Sequence, residues 1–149
     1  MPHTTFKAEA RHLAYDQTEG AGPGIVFLSG FNSTKEGTKA LHLEAWAKQR
    51  GRAFLRFDYS GHGASSGSFL DGSITRWSED AEAIIRGLTQ GPQVLVGSSM
   101  GGWIALLLAR RMADRIAGLV TVAAAPDFTE DRYWRRFDES DRSKLECEG

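Results

Sequence analysis

Cysteine is nearly absent from this sequence, and no apolar run is long enough to cross a membrane. The one cysteine, Cys147, can form neither an internal disulfide nor a metal cage, so nothing indicates an oxidising compartment or a metal site. The most apolar helical stretch, Trp103 to Ala109, is far shorter than the roughly 20 residues that a membrane span needs. Because the N-terminus also lacks the apolar core of a signal peptide, we predict a soluble, cytoplasmic protein.

Neither sign of charge is in excess. The chain has 18 Lys and Arg residues against 19 Asp and Glu residues, which gives a net charge of −1. This balance gives no reason to expect binding to nucleic acid or to an anionic membrane surface. The 149 residues are 41% hydrophobic and contain no repeat and no linker, so we expect one compact domain with a real core.

Strand-like and helix-like segments alternate along the chain. Short apolar runs predict strands, whereas apolar residues at three- and four-residue steps predict helices. The predicted strands are Thr4–Ala8, His12–Tyr15, Ile25–Leu28, Ala53–Asp58, Gln93–Val96 and Ile116–Ala123, and the predicted helices are Lys39–Arg50, Ile74–Leu88 and Met100–Arg111. This alternation predicts an α/β fold, with a mostly parallel sheet and helices on both faces.

Some finer features of these segments can also be predicted. The residues from Gly20 to Gly24 are typical of a turn-rich break, and Ser73 is a plausible N-cap of the second helix. Leu41, Ala45 and Trp46 are predicted to form the apolar side of the first helix. The last strand is predicted to be buried, and the charged, aromatic segment after it to form surface helices.

A Gly-x-Ser-x-Gly motif, residues 97–101, stands between a predicted strand and a predicted helix. This order is typical of a nucleophile elbow, in which a serine hydroxyl is held clear of a sharp turn. Ser99 has glycines two residues away on both sides, so it is the predicted nucleophile. The N–H of Met100 is then one donor to the oxyanion, and the second comes from the loop after an earlier strand, with Phe31 as the first choice and Asn32 next.

The motif alone is weak evidence, because a chain with 17 glycines produces such spacings by chance. Its placement is stronger evidence, since the loops Ser29–Gly37 and Tyr59–Gly72 also follow strands and are expected at the same sheet edge. Two phosphate-binding motifs are considered and set aside. The segment Gly30–Lys35 lacks the Gly-Lys-Ser/Thr ending of a P-loop, and Gly61–Gly67 is one residue too long for a dinucleotide fingerprint.

No histidine follows Ser99, so the sequence shows no obvious catalytic base. His62 lies in a glycine-rich segment, which we interpret as a tight turn whose backbone Asp58 binds; the roles of catalytic base and of substrate contact stay open beside it. The other three histidines, at positions 3, 12 and 42, lie near the terminus, on an early strand and within a helix. Asp127 follows the last strand, where a loop or cap role is favoured over that of orienting a base.

Three blocks of sequence, residues 28–31, 56–65 and 96–103, resemble the α/β-hydrolase superfamily. They look most like the branch of acyl-glucuronide esterases and palmitoyl-protein thioesterases with its bacterial relatives, over about Leu13 to Phe128. The resemblance implies hydrolysis of a small-molecule acyl ester or thioester through an acyl-enzyme on Ser99. It also implies that the Phe31 and Met100 N–H groups bind the oxyanion, and it implies no metal or organic cofactor.

The chain departs from this family after the serine. In the family an acid and then a histidine follow on later loops, but the 50 residues after Ser99 contain no histidine. We therefore interpret residues 1–126 as the N-terminal part of an α/β-hydrolase domain whose C-terminal strands and helices are missing, and residues 127–149 as the start of a cap or surface helices. Such a chain should be nearly inactive.

The missing strands would leave the last predicted strand with an exposed edge, prone to pairing with another chain. This suggests the main alternative function, a non-catalytic protein for acyl binding or association that derives from a hydrolase. A third hypothesis is a complete enzyme that uses His62 as its base.

Overall fold

The computed structural model describes residues 3–148 and contains six strands and four α-helices within them. The strands are β1 Thr5–Ala8, β2 Arg11–Thr18, β3 Ala21–Leu28, β4 Arg52–Phe57, β5 Gln93–Ser98 and β6 Ile116–Val122. The helices are α1 Thr38–Gln49, α2 Ile74–Leu88, α3 Met100–Arg111 and α4 Glu139–Glu148. Short helical turns precede α2, β6 and α4. Every strand and helix predicted from the sequence is therefore present, with shifts of a few residues at the ends.

All six strands belong to one sheet, in the order β1-β2-β4-β3-β5-β6. The first two pairings, β1 with β2 and β2 with β4, are antiparallel, and the other three are parallel. β3 is central, because Val26 pairs with Leu55 of β4 on one side and with Leu95 of β5 on the other. The prediction of a mostly parallel α/β sheet is confirmed.

Helices cover both faces of the sheet. On one face α2 and α3 bury Trp77, Ile84, Ile104 and other apolar residues against alternate side chains of the central strands, such as Val26. On the other face α1 packs on a smaller cluster that includes Phe27. Since successive side chains of a strand point to opposite faces, Val26 and Phe27 belong to different clusters.

The helix ends follow the predicted signals. The Ser73 hydroxyl accepts from the Arg76 N–H at 3.2 Å and so caps α2. At the end of α1, Gly51 has φ of 61°, a left-handed conformation that glycine adopts without steric cost.

The predictions for the glycine-rich stretch before β3 and for the inner side of α1 are wrong. The glycine-rich stretch 20–24 is not a break, because β3 already begins at Ala21 and a register irregularity before Ile25 absorbs the glycines. The inner side of α1 is formed by Ala40 and Ala47, with partly buried Leu43 between them, whereas the predicted side, residues 41, 45 and 46, is exposed. Small side chains face the sheet there because they let the helix pack closely.

The last strand, β6, is not buried as predicted. Leu119, Val120 and Val122 are 37%, 49% and 40% exposed. β6 pairs only with β5, so one of its edges has no partner strand within residues 3–148. Its apolar residues are typical of a central strand, which is why burial was predicted, whereas the exposed edge agrees with the expectation that later strands are missing.

Candidate active site

Ser99 stands between β5 and α3 in a conformation that L-residues rarely adopt, with φ of 55° and ψ of −119°. Its N–H donates to the Val122 carbonyl at 2.9 Å, and its carbonyl accepts from the Gly102 and Ala125 N–H groups at 2.9 and 3.2 Å. The turn is therefore held from both sides by backbone hydrogen bonds. A strained serine between a strand and a helix is the backbone geometry that the predicted nucleophile elbow requires.

The two glycines beside Ser99 are required by close backbone packing. A side chain at Gly97 would collide with the Gly101 backbone, and one at Gly101 would collide with the carbonyls of Leu28, the last residue of β3, and of Ser29, which follows it. α3 can thus approach the sheet closely enough to bring its first turn beside the end of β3. Glycines two residues before and after Ser99 therefore let the turn form without a side-chain clash.

A cavity of about 340 Å³ opens beside Ser99, and the loop after β3 forms its other wall. This loop comes close to the serine, since a Cβ at Gly30 would lie 3.4 Å from the Ser99 Cβ. The N–H groups of Phe31 and Met100 have no acceptor within residues 3–148. Phe31 lines the cavity, and the Met100 amide lies at the positive end of the α3 dipole.

His62 is buried away from this cavity. Its side chain is 4% exposed, and Nδ1 lies 3.3 Å from the Ser60 carbonyl oxygen. Three aromatic rings, those of Tyr59, Phe69 and Trp77, surround the imidazole with centroid distances of 5.0–5.7 Å. Burial lowers the pKa of His62, although its contact with Ser60 and two nearby carboxylates act in the opposite direction. The structure does not place this histidine among the residues that line the Ser99 cavity.

Comparison with known proteins decides the family. A model of the alpha/beta hydrolase family matches residues 25–145. This chain belongs to the alpha/beta hydrolase family. It is 44% identical over 116 residues to human palmitoyl-protein thioesterase ABHD10, mitochondrial, and this match covers 78% of the chain and 38% of the relative. The chain spans about two fifths of the length of the ABHD10 relatives from rat and human.

Solved structures agree with this assignment. The mouse alpha/beta hydrolase domain-containing protein 10 superposes with a TM-score of 0.90 at 34% identity, over 99% of this chain and 59% of that one. A hydrolase from Agrobacterium vitis gives 0.88 at 36% identity, over 100% of this chain and 63% of its own. The resemblance inferred from the sequence and the predicted fold class are therefore confirmed.

The cytoplasmic location predicted from the sequence is wrong on the evidence of these relatives. The ABHD10 thioesterases from rat, mouse, cattle and human are all named as mitochondrial proteins. Among the residues that the structure describes, no helix is long and apolar enough to cross a membrane. The same residues contain no cluster of three or more His, Cys, Asp or Glu side chains that could hold a metal ion.

Asp58 anchors the loop that follows β3. Its buried carboxylate accepts from the Lys35 N–H at 2.6 Å and from the Ala64 N–H at 3.0 Å, so it joins the loops that follow β3 and β4. Gly63 is needed for this approach, because a side chain there would collide with the Asp58 carboxylate. The predicted role of Asp58 in binding loop backbone is supported, and the sequence did not show its second partner, Lys35.

Lys35 continues this anchor with an ion-pair cluster. Its ammonium group, buried under the loop, lies 2.6 Å from both Asp16 and Glu36, and Arg56 lies 2.9 Å from Asp16. Burial acts to raise the pKa of Asp16, but the Lys35 hydrogen bond and the Arg56 charge bring it below its usual value. The cluster is therefore charged at neutral pH and holds the Ser99 cavity wall against β2 and β4.

An aromatic cluster, which sequence reasoning missed, lies around the Phe31 side chain. The Phe31 ring contacts those of Phe69, Trp77 and Phe128, with centroid distances of 5.1, 5.9 and 5.6 Å. Phe128 also contacts Trp103 in the first turn of α3, at 5.9 Å. Phe31 remains 39% exposed, so the loop that carries a predicted oxyanion donor also presents an apolar surface.

Asp127 has the loop role that was favoured from sequence. It adopts a positive φ of 53°, and its carbonyl accepts from the Glu130 and Asp131 N–H groups at 3.0 and 2.9 Å. Trp134 is half-buried, and the Arg142 guanidinium lies over its ring at 5.8 Å. Neither residue lines the cavity beside Ser99.

Proposed function

We propose that Ser99 is the nucleophile of a hydrolase that cleaves carboxylic esters or thioesters through an acyl-enzyme. One observation carries this proposal: Ser99, at φ of 55°, lines a cavity together with Phe31, and the N–H groups of Phe31 and Met100 have no acceptor within residues 3–148. The family supports the same chemistry, since its relatives include proteins named as thioesterases and esterases.

The reaction follows from this geometry. Ser99 Oγ attacks the acyl carbon and loses its proton to a base, while the carbonyl oxygen becomes an oxyanion that accepts from the two amides. Collapse releases the alcohol or thiol, which takes up a proton, and water then hydrolyses the acyl-enzyme. Removal of one amide donor typically costs about 2.7–4 kcal/mol of transition-state stabilisation.

We further propose that the base and its orienting acid lie outside these 149 residues. Three observations support this. The curated relatives are about twice as long, β6 exposes apolar side chains at an edge with no partner strand within residues 3–148, and His62 is enclosed by aromatic rings. Residues 1–126 would then form the first part of the hydrolase domain, and residues 127–149 the start of its cap. We expect this chain by itself to react slowly.

Added imidazole provides a test, because it can replace a missing base in solution. We expect weak labelling of the chain by a fluorophosphonate, a clear increase with imidazole, and no labelling of Ser99→Ala under either condition. In this reaction Ser99 Oγ displaces fluoride from phosphorus and imidazole accepts the proton. Strong labelling without imidazole would contradict the missing base, and equal labelling of Ser99→Ala would contradict the nucleophile.

The exposed edge of β6 favours a second candidate function, a non-catalytic module for acyl binding or self-association. Such a module needs no hydroxyl at position 99. It therefore predicts that Ser99→Ala binds an acyl ligand as tightly as the original chain and that neither form reacts with the probe in imidazole.

A further inference from the structure

A second helix N-terminus opens into the same cavity as Ser99, and the proposed reaction does not use it. The N-cap of α1, Gly37, has no side chain to accept from the first amides, and the first turn contains no acidic residue. The first amide of α1 with an acceptor is that of Leu41, which donates to the Gly37 carbonyl at 3.1 Å. The amides of residues 38–40 have no acceptor within residues 3–148, so the positive end of this twelve-residue helix is open.

The lining of the cavity suits an anion. No carboxylate belongs to the residues that line it, and Lys39, whose side chain forms no ion pair with the described residues, brings a positive charge. Hydroxyl-bearing residues make up half of the lining, and these are Ser29, Ser33, Thr34, Thr38, Ser98 and Ser99. Hydroxyl and amide donors next to a helix N-terminus are the groups that hold phosphates and carboxylates in proteins.

Ser29 provides an independent sign of a ligand at this place. Its side chain is 2% exposed, and its Oγ has no hydrogen-bond partner among the residues that the structure describes. Because side chains alternate along a strand, Ser29 continues the face of Phe27, which also lines the cavity, and so points towards α1. A buried hydroxyl without a partner is unusual, and such groups normally bind a ligand or water.

We propose that this cavity binds an anionic group, a carboxylate or a phosphate, that the ester or thioester substrate carries close to its reacting carbonyl. The carbonyl oxygen would lie at the N-terminus of α3 and the anion at the N-terminus of α1, within one cavity of about 340 Å³. The identity of the anion as part of a substrate rests on the proposed function. Binding of the anion itself is assigned to the α1 amides, Ser29 and Lys39, and it does not need the Ser99 hydroxyl.

Titration with simple anions tests the site directly. The probes are inorganic phosphate and acetate, each added to the isotope-labelled chain at constant ionic strength set with chloride, because screening alone shifts exposed amides. We expect saturable chemical-shift changes at the amides of residues 38–40. Ser29→Ala should weaken binding about tenfold, since it removes a hydrogen bond to a charged group. Lys39→Gln should weaken it about threefold, the size expected for an exposed charge.

Lys48→Gln is the matched control, because Lys48 lies on the last turn of the same helix, and it should leave the affinity unchanged. Saturation by phosphate alone assigns a phosphate group, and equal or tighter saturation by acetate assigns a carboxylate. Absence of saturation with both probes, or equal affinity of the Ser29, Lys39 and Lys48 variants, would overturn the proposal. Ser99→Ala should still bind the anion, so failure of this site and failure of the Ser99 nucleophile are separate results.

Discussion

At the scale of single residues, Ser99 keeps a strained backbone that its surroundings must hold in place. A non-glycine residue in such a conformation costs on the order of 1–3 kcal/mol. Its amide is bonded to Val122 and its carbonyl to Gly102 and Ala125, so contacts from α3 and from the chain after β6 offset that cost. The strain lies beside two amides, those of Phe31 and Met100, that have no acceptor within residues 3–148, and this agrees with the proposal that the site is organised before substrate binds.

The buried imidazole of His62 leads to a prediction about pH. Burial lowers its pKa below the usual 6.5, so the unfolded chain takes up a proton before the folded chain does. The stability that follows from a neutral His62 is therefore complete above about pH 6.5 and decreases as the pH falls below it, by at most about 1.4 kcal/mol for each pH unit.

His62→Phe tests this prediction, because a phenyl ring suits the aromatic surroundings. We expect its unfolding free energy to lie within about 1.5 kcal/mol of the original at neutral pH. Below the usual histidine pKa of about 6.5, the unfolding free energy of the variant should rise relative to that of the original chain. Urea denaturation of both proteins at neutral pH and at a pH below that pKa measures the change. The three other histidines are common to both proteins and cancel. If the difference in unfolding free energy between the two proteins is the same at both pH values, the folded state does not oppose protonation of this imidazole, and the prediction is wrong. Labelling that is lost without imidazole and restored by imidazole in His62→Phe would instead favour His62 as a catalytic base.

At the scale of secondary-structure elements, the contact between α3 and β3 brings the first turn of the helix next to the loop that carries Phe31. It depends on Gly101, where a side chain would collide with the carbonyls of Leu28 and Ser29. Gly101→Ala forces these two elements apart, and we predict a loss of unfolding free energy of about 1–3 kcal/mol.

Gly118→Ala on β6 is the control for this prediction. An added Cβ there would meet only the Val94 side chain, at 3.6 Å, which is ordinary van der Waals contact. We expect its effect on urea denaturation to stay within about 0.5 kcal/mol. Equal losses in the two variants would mean that close approach of α3 to β3 is not what Gly101 provides.

The elements themselves could be predicted from sequence wherever a local pattern determines them. The bounds of α3 were predicted as Met100–Arg111, because a Gly-rich turn precedes its apolar residues and the helix then runs without a break. The inner side of α1 was predicted wrongly, because large apolar residues were assigned to the core. Trp46 is instead 39% exposed and lies under the Arg50 guanidinium, at 4.4 Å.

The candidate site was predictable only in part, for a similar reason. Ser99, Phe31 and Met100 follow from short motifs and from the rule that parallel strands end at one edge. The contacts of Asp58 with Lys35 and of Phe31 with Phe128 join residues that are far apart in sequence, so no local pattern contains them.

At the scale of the whole molecule, the unpaired edge of β6 is the main departure from a closed domain. Exposed apolar side chains on an edge strand promote pairing with other chains, so we expect the chain to self-associate as its concentration rises. Val120→Lys should reduce this association, measured by size-exclusion chromatography with light scattering. Leu70→Lys is the control, since Leu70 is 90% exposed in a turn outside the sheet. A monomer at all concentrations, or equal effects of the two variants, would contradict association through β6.

The most direct test of the account is the mass of the protein after reaction with an activated acyl ester. If Ser99 is the nucleophile and the base is absent, imidazole-assisted acylation should give an adduct that hydrolyses slowly. Intact-protein mass spectrometry should then show the addition of one acyl group, and peptide mapping should place it on Ser99 in the original chain, with no adduct in Ser99→Ala. An acyl group found on another residue, or an adduct of equal yield in Ser99→Ala, would contradict the central claim that this turn presents a nucleophile.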